Sequence, residues 1–303
     1  MKISNNLFGI IPAVVTPLTE GGGFAEGAFE QLLQRLYSFG VDGVYLCGST
    51  GEGMLQSIEQ RKRIAEAAIR NSPRGKQVIV HVGASTTREA IELAAHAAGV
   101  GVTAISSLPP LIGSYSFREI EEYYQTLARD CPLPLLIYYF PDVAPGIRSA
   151  DQLRALCAID GVAGVKFTSY DLMTMSQLKQ DGVAVYYGRD EMLAAGLLFG
   201  ADGGIGTFYT LVPGVFTEIF RLAREHRWQE AMLLQAQVNK LIRISLQYPL
   251  YPVIKELLRW TGIDCGPCLG PRQQYLTPAE VSCLRSEIEN AELTELVYST
   301  VSA

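Results

Sequence analysis

Eight nearly unbroken apolar stretches, recurring roughly every 20 to 35 residues, restrict the fold of this chain more than any other feature. They are residues 9–17 (GIIPAVVTP), 43–47 (GVYLC), 78–83 (VIVHVG), 102–108 (VTAISSL), 133–140 (LPLLIYYF), 162–168 (VAGVKFT), 183–188 (VAVYYG) and 203–207 (GGIGT). Continuous runs, rather than alternation, mark parallel strands covered on both faces. The segments between them read as helices. In 28–39, Phe29, Leu32, Leu33, Leu36 and Tyr37 recur at helical spacing and Gly40 closes the segment. Ser57 with Gln60, Thr86 with Glu89, Ser116 with Glu119 and Ser149 with Gln152 have the spacing of capping boxes at helix starts.

Eight strand–helix units predict an α/β fold, a (β/α)8 TIM barrel over residues 1–225. A doubly wound open sheet is the alternative, but no dinucleotide fingerprint accompanies the units. Beyond residue 225 no strand pattern remains. Segments near 227–247, 251–262 and 279–292 read as helices, the last opened by Thr277-Pro278-Ala279-Glu280. Residues 226–303 are therefore expected to form a C-terminal helical extension.

Composition excludes several classes. The formal charge is −6 and the basic residues form no runs, which disfavours nucleic acid and anionic membrane as partners. No apolar run approaches the roughly 18 residues needed to span a bilayer. The early run LFGIIPAVV is broken by Gly9 and Pro12 and reads as a strand, not a signal peptide, so a cytoplasmic location is expected. There are six cysteines, three in or beside apolar segments where they read as buried thiols. Cys265-Gly-Pro-Cys268 has redox or half-zinc spacing, but no second such pair exists and the chain has only three histidines. A plain turn with two thiols is the expectation, and no metal site is expected.

In such a barrel, chemistry sits at the C-terminal ends of the strands. The sixth carries Lys166 in an apolar context. A buried lysine tends to lose its proton, and a neutral amine attacks carbonyls. The competing reading is a lysine at the strand end paired with a carboxylate. Tyr138, at the end of strand five, should neighbour Lys166 as a proton shuttle or as a barrel-lining aromatic; Tyr139 points the other way and packs. Thr168 shares the face of Lys166. After strand seven, Asp190 and Glu191 could bind hydroxyls, begin a helix or hold a metal, for which further ligands are wanting. Thr207 ends strand eight with one hydroxyl. His81 reads as a satisfied core histidine. The loop CGSTGEG, residues 47–53, suits an anion, but it lacks the lysine of a P-loop and the spacing of a dinucleotide turn.

Taken together, Gly48-Ser49-Thr50-Gly51-Glu52, Tyr138 and Gly164-Val165-Lys166 resemble the pyruvate-dependent Schiff-base lyases, the family of dihydrodipicolinate synthase and N-acetylneuraminate lyase. The resemblance runs over the whole chain. YYFP (138–141), GVKFTSYDL (164–172), GRDEML (188–193) and GADGGIGTFY (200–209) look most like the N-acetylneuraminate lyase branch. It implies a homotetrameric class I aldolase that cleaves a small-molecule 2-keto acid, with no cofactor beyond an imine on Lys166. It further implies that Tyr138 assists proton transfer and that Ser49 and Thr50 bind the substrate carboxylate. Thr168, Gly188, Asp190, Glu191 and Thr207 would contact the hydroxylated tail, and Glu52 would brace its loop.

Three stretches depart from that pattern. Leu111 and Ile112 are aliphatic where the resemblance implies aromatics that include a tyrosine reaching a neighbouring subunit, with Tyr115 as the candidate replacement. PDVAPG (141–146) is one residue longer, and Thr207 stands in place of a serine. These bear on the aldehyde side of the substrate. A 2-keto-3-deoxy sugar-acid aldolase or dehydratase is the runner-up. A dihydrodipicolinate synthase would need an arginine near Val143 and Ala144, and the acidic pair would repel its second substrate. A non-catalytic ligand-binding protein on the same barrel is the reading from another class.

Overall fold

In the computed structural model, which describes residues 7–111 and 113–298, each apolar stretch coincides with a strand, the third strand beginning one residue before its stretch. The strands are β1 (Gly9–Pro12), β2 (Gly43–Leu46), β3 (Gln77–His81), β4 (Ala104–Ser107), β5 (Leu135–Tyr139), β6 (Val162–Phe167), β7 (Ala184–Tyr187) and β8 (Gly203–Gly206). Between them run α1 (Glu26–Ser38), α2 (Ile58–Asn71), α3 (Thr87–Val100), α4 (Phe117–Asp130), α5 (Ala150–Cys157), α6 (Leu172–Gln180) and α7 (Leu193–Leu198). After β8 come α8 (Pro213–Arg224), α9 (Trp228–Ser245), α10 (Leu250–Trp260), α11 (Pro278–Asn290) and α12 (Thr294–Tyr298).

All strand pairs are parallel, in the order β1-β8-β7-β6-β5-β4-β3-β2. The β1–β2 seam closes the barrel through Asp42 N–H to Ile10 O at 2.9 Å and Val14 N–H to Tyr45 O at 3.0 Å. The α/β barrel expected from the spacing is therefore present, together with its C-terminal helices. The strands are shorter than the apolar runs because the run ends turn into the loops that carry the site.

Alternation along each strand separates two cores. Leu135, Ile137, Val165, Phe167, Val185 and Tyr187 face the helices. Ile11, Tyr45, Ile79, Leu136, Tyr138, Tyr186 and Ile205 fill the barrel interior. Thr86, Ser116 and Thr277 make complete capping boxes. Ser57 and Ser149 make only half of one, since each accepts the N–H three residues on. Their glutamine partners are drawn elsewhere: Gln60 accepts from Phe24 N–H at 3.0 Å, and Gln152 from Arg148 N–H at 2.7 Å.

The C-terminal helices bear directly on the barrel mouth. Lys255 of α10 pairs at 3.1 Å with Glu52, whose side chain is 0% exposed. Leu269 N–H donates to the same carboxylate at 2.8 Å. From α9, Gln235 donates to Asp190 O at 3.0 Å and Asn239 to Glu191 O at 2.9 Å. The Cys265–Cys268 segment differs from the expected turn. It is irregular chain with both thiols buried, and Lys255 donates to Pro267 O within it at 2.6 Å.

Candidate active site

Strand register creates the centre of the site. Tyr138 pairs with Lys166, and Lys166 with Tyr186, so all three project into the barrel at one level. Tyr186 is drawn downward by its hydroxyl, which donates to Gln77 Oε1 at 2.6 Å. Lys166 is 4% exposed. Its Nζ lies 3.7 Å from the centroid of Tyr138 and 4.2 Å from that of Tyr45.

Two effects compete at this amine. Facing aromatic rings favour the cation by about 0.5–2 kcal/mol. Removal from water favours the neutral form, and it prevails: burial lowers the Lys166 pKa from 10.5 to about 7, with Asp190 pulling the other way. Lys166 makes no ion pair within 4 Å among the described residues, so the reading of a strand-end lysine locked to a carboxylate does not hold. At neutral pH a substantial fraction is free amine in an apolar, aromatic cage.

Burial also pushes the Tyr138 phenol up to about 12, against the opposing pull of the Ser49 and Thr168 hydroxyls that face it. Tyr138 is thus a proton donor at rest. Thr168 Oγ1 is buried and makes no hydrogen bond of good geometry. Gly188 lies against it: a Cβ there would sit 2.1 Å from Thr168 Oγ1, so position 188 has no room for a side chain.

The loop after β2 closes one side of the mouth. Thr50 and Thr207, 157 positions apart in sequence, join through their hydroxyls at 2.7 Å. The loop is tightly wound, with Cys47 and Glu52 both left-handed at φ +56°, and a Cβ at Gly53 would lie 1.8 Å from Cys47 O. Gly51 O is taken by Thr16 Oγ1 at 2.7 Å and Gln56 Nε2 at 2.5 Å. These bonds, with the Lys255–Glu52 pair, hold a conformation that non-glycine residues disfavour.

The acidic pair splits in two. Asp190 is buried; its Oδ2 accepts Phe208 N–H at 2.6 Å, and burial raises its pKa from 3.8 to about 7. Glu191 is half-buried at the rim, where Tyr170 donates to its Oε1 at 2.6 Å. Thus Lys166, Tyr138, Ser49, Thr50, Thr168, Gly188, Asp190 and Thr207 converge on the interior mouth, and Glu191 stands above it.

His81 is buried, accepts Leu108 N–H at 3.1 Å on Nε2, and lies edge-on to Tyr138 at 6.1 Å. Burial, with the nearby Arg61 and Lys166 charges, keeps it neutral. Tyr139 packs outside the barrel on Phe167 at 5.1 Å. Leu111 borders the barrel-interior cluster, whereas Ile112 lies outside the described residues. Tyr115 packs against the helix-facing core, its ring 3.7 Å from where a Cβ of Gly113 would stand.

Sequence reasoning missed Tyr45, which cages Lys166 and donates to Ser106 at 3.2 Å, because it reads as one more apolar strand residue. Period-2 alternation was the signal that would have placed it inside. It also missed Phe140, Asp142, Tyr170 and Arg189, which meet only in space. A concavity of about 1090 Å³ lies at the opposite end of the barrel beside Phe8, Asp160 and Asp202, and none of the predicted site residues lines it. Among the described residues, no cluster of three or more His, Cys, Asp or Glu is placed to hold a metal ion.

A model of the dihydrodipicolinate synthetase family matches residues 6–283. The N-acetylneuraminate lyase of Rhizobium meliloti (strain 1021) is 34% identical over 285 residues, 93% of this chain and 94% of that protein. CdNal from Clostridium difficile, solved in complex with mannosamine, superposes with a TM-score of 0.89 at 30% identity, covering 94% of this chain and 99% of that one. The sialic acid aldolase of Ruminococcus gnavus gives a TM-score of 0.89 at 26% identity over 96% and 99% of the two chains.

Proposed function

This chain belongs to the dihydrodipicolinate synthetase family, and from that premise we propose that it is a pyruvate-dependent class I aldolase that cleaves N-acetylneuraminate to pyruvate and N-acetylmannosamine. The observation that carries the chemistry is Lys166, a buried amine whose pKa is lowered to about 7, in ring contact with Tyr138.

Nζ of Lys166 attacks the C2 carbonyl, and the carbinolamine loses its hydroxyl as water with a proton from the Tyr138 phenol. The resulting protonated imine is the electron sink. The tyrosinate, now beside a cation, takes the proton of the C4 hydroxyl as the C3–C4 bond breaks. Its electron pair flows into the imine, giving the enamine of pyruvate and a free aldehyde. Protonation at C3 and hydrolysis release pyruvate and restore the amine. The lysine itself supplies the sink, so the sequence calls for no metal or organic cofactor.

Ser49 and Thr50, with the backbone N–H groups of their loop, bind the substrate carboxylate. Thr168, Gly188, Asp190, Glu191 and Thr207 line the path of the hydroxylated tail. A cytoplasmic homotetramer completes the reading. It is supported by the resemblance and by exposed apolar side chains on α9 and at the end of α7, namely Met232, Leu233 and Leu198. No described helix is long and apolar enough to cross a membrane.

Borohydride reduction in the presence of pyruvate, followed by peptide mass analysis, tests the imine: the adduct is expected on the Lys166 peptide, and its absence sinks the mechanism. A substrate panel tests the specificity. Cleavage of a 2-keto-3-deoxy sugar acid but not of N-acetylneuraminate would retain the mechanism and reject the substrate.

A further inference from the structure

Four side chains crown the mouth above Tyr138, and the mechanism uses none of them. Phe140, just after β5, stacks on Tyr138 with centroids 6.0 Å apart and planes at 18°. Arg189, just after β7, lays its guanidinium over Tyr170 at 4.1 Å and over Phe140 at 5.4 Å. Its Nη2 is paired with the carboxylate of Asp142. Tyr170, from the loop after β6, is 55% exposed, yet its hydroxyl is spent on Glu191 Oε1. The chain of contacts Asp142–Arg189–Tyr170–Glu191 therefore ties together the loops that follow three successive strands.

The arrangement has a physical consequence for Glu191. A glutamate at an open rim samples several rotamers, and ordering it on binding costs free energy. The bond from Tyr170 fixes one oxygen in advance. Oε2 receives no hydrogen bond from the described residues and is the acceptor left for a ligand. Tyr170 is itself pinned, since its ring carries the guanidinium, which Asp142 anchors from the loop after β5. The charge balance of the rim also discriminates. Asp142 offsets Arg189, so Glu191 leaves the cluster net negative, which suits a neutral polyol and disfavours a second carboxylate.

We propose that Tyr170, clamped by Arg189 and Asp142, is a positioning residue that fixes Glu191 for the hydroxyls of the substrate tail, and so sets the preference for long, neutral polyol 2-keto acids over short ones. This rests on the reading of Glu191 as a tail-binding residue, and the test separates the two.

Steady-state cleavage of N-acetylneuraminate and of the short, neutral-tailed 4-hydroxy-2-oxopentanoate is compared in wild type, Tyr170→Phe, Arg189→Met and Glu191→Gln. Tyr170→Phe is expected to raise KM for the long substrate about tenfold, the size of a hydrogen bond to a charged group, with kcat changed less than about twofold. Its kinetics on the short substrate should stay at wild-type values. Arg189→Met should move the same KM by a smaller factor. The double variant Tyr170→Phe/Glu191→Gln should match Glu191→Gln alone, because the two act through one carboxylate.

An unchanged KM in Tyr170→Phe, while Glu191→Gln raises it, overturns the clamp and leaves the tail-binding role of Glu191 standing. An equal loss on both substrates also overturns the clamp, by showing a merely structural role. An unchanged KM in Glu191→Gln overturns the tail-binding role itself.

Discussion

Replacing Lys166 by methionine should make this protein more stable, not less, and the gain should depend on pH. In the unfolded chain the lysine keeps its proton up to about pH 10.5; in the fold it releases it near 7. That displacement corresponds to about 5 kcal/mol at about 1.36 kcal/mol per pH unit, the full cost of burying the cation below pH 7. Between the two values the unfolded state binds more protons than the native state, so wild-type stability rises with pH across this window. At pH 8 about 3 kcal/mol of the cost remains, and near pH 10 less than about 1 kcal/mol. Methionine has a similar volume, keeps the apolar contacts with Tyr45 and Tyr138, and carries no proton to lose. Asp190, which titrates near 7, is ionised in both proteins at pH 8 and largely cancels.

The assay is thermal unfolding of wild type and Lys166→Met by calorimetry at several pH values from 7.5 to 10. The expected gain is about 5 °C in Tm at pH 8, shrinking steadily toward pH 10. A variant no more stable than wild type at pH 8, or a gain that ignores pH, would show that the native amine is charged. The case for Lys166 as a ready nucleophile would then fail.

Four further outcomes follow from the same geometry. Imine formation needs the neutral amine, so kcat/KM should climb with pH through about 7 and then level off; a rising limb displaced toward 10 would contradict the burial argument. Because Asp190 titrates in the same window, the limb belongs to the pair, and Asp190→Asn should make it shallower. Lys255→Met leaves the fully buried Glu52 with only the more distant, partly exposed Arg272 as a cation, and should cost up to about 3–5 kcal/mol in denaturant unfolding. Gly188→Ala forces a Cβ onto Thr168 Oγ1, and should depress kcat/KM while leaving Tm within a few degrees of wild type; wild-type kinetics would show that Thr168 can move aside without consequence.

Eight apolar runs at regular spacing sufficed to specify the barrel, because burial on both faces leaves parallel strands no polar alternation and each run must find neighbours. Local chemistry at the helix starts was legible for the same reason: an N-cap and its partner lie three residues apart. The half boxes at Ser57 and Ser149 show where that reach ends, since their glutamines answer to Phe24 and Arg148, which local spacing does not rank above the box. That Lys166 and Tyr138 are neighbours was readable from strand position, because parallel pairing of adjacent strands brings like positions to one level.

Tertiary structure decided the rest. The sequence offers Lys166 as either a free amine or an ion-paired one; only the depth of burial, the rings of Tyr45 and Tyr138 and the absence of a close carboxylate choose between them. It offers Asp190 and Glu191 as one acidic pair, whereas the fold buries the first against Phe208 N–H and leaves the second at the rim under Tyr170. Glu52 and Lys255 lie 203 positions apart and become a buried ion pair because the C-terminal helices fold back onto the mouth. Periodicity and spacing report which residues a segment must bury. Electrostatics and hydrogen bonding between distant segments depend on angstrom-scale placement, which no local pattern encodes.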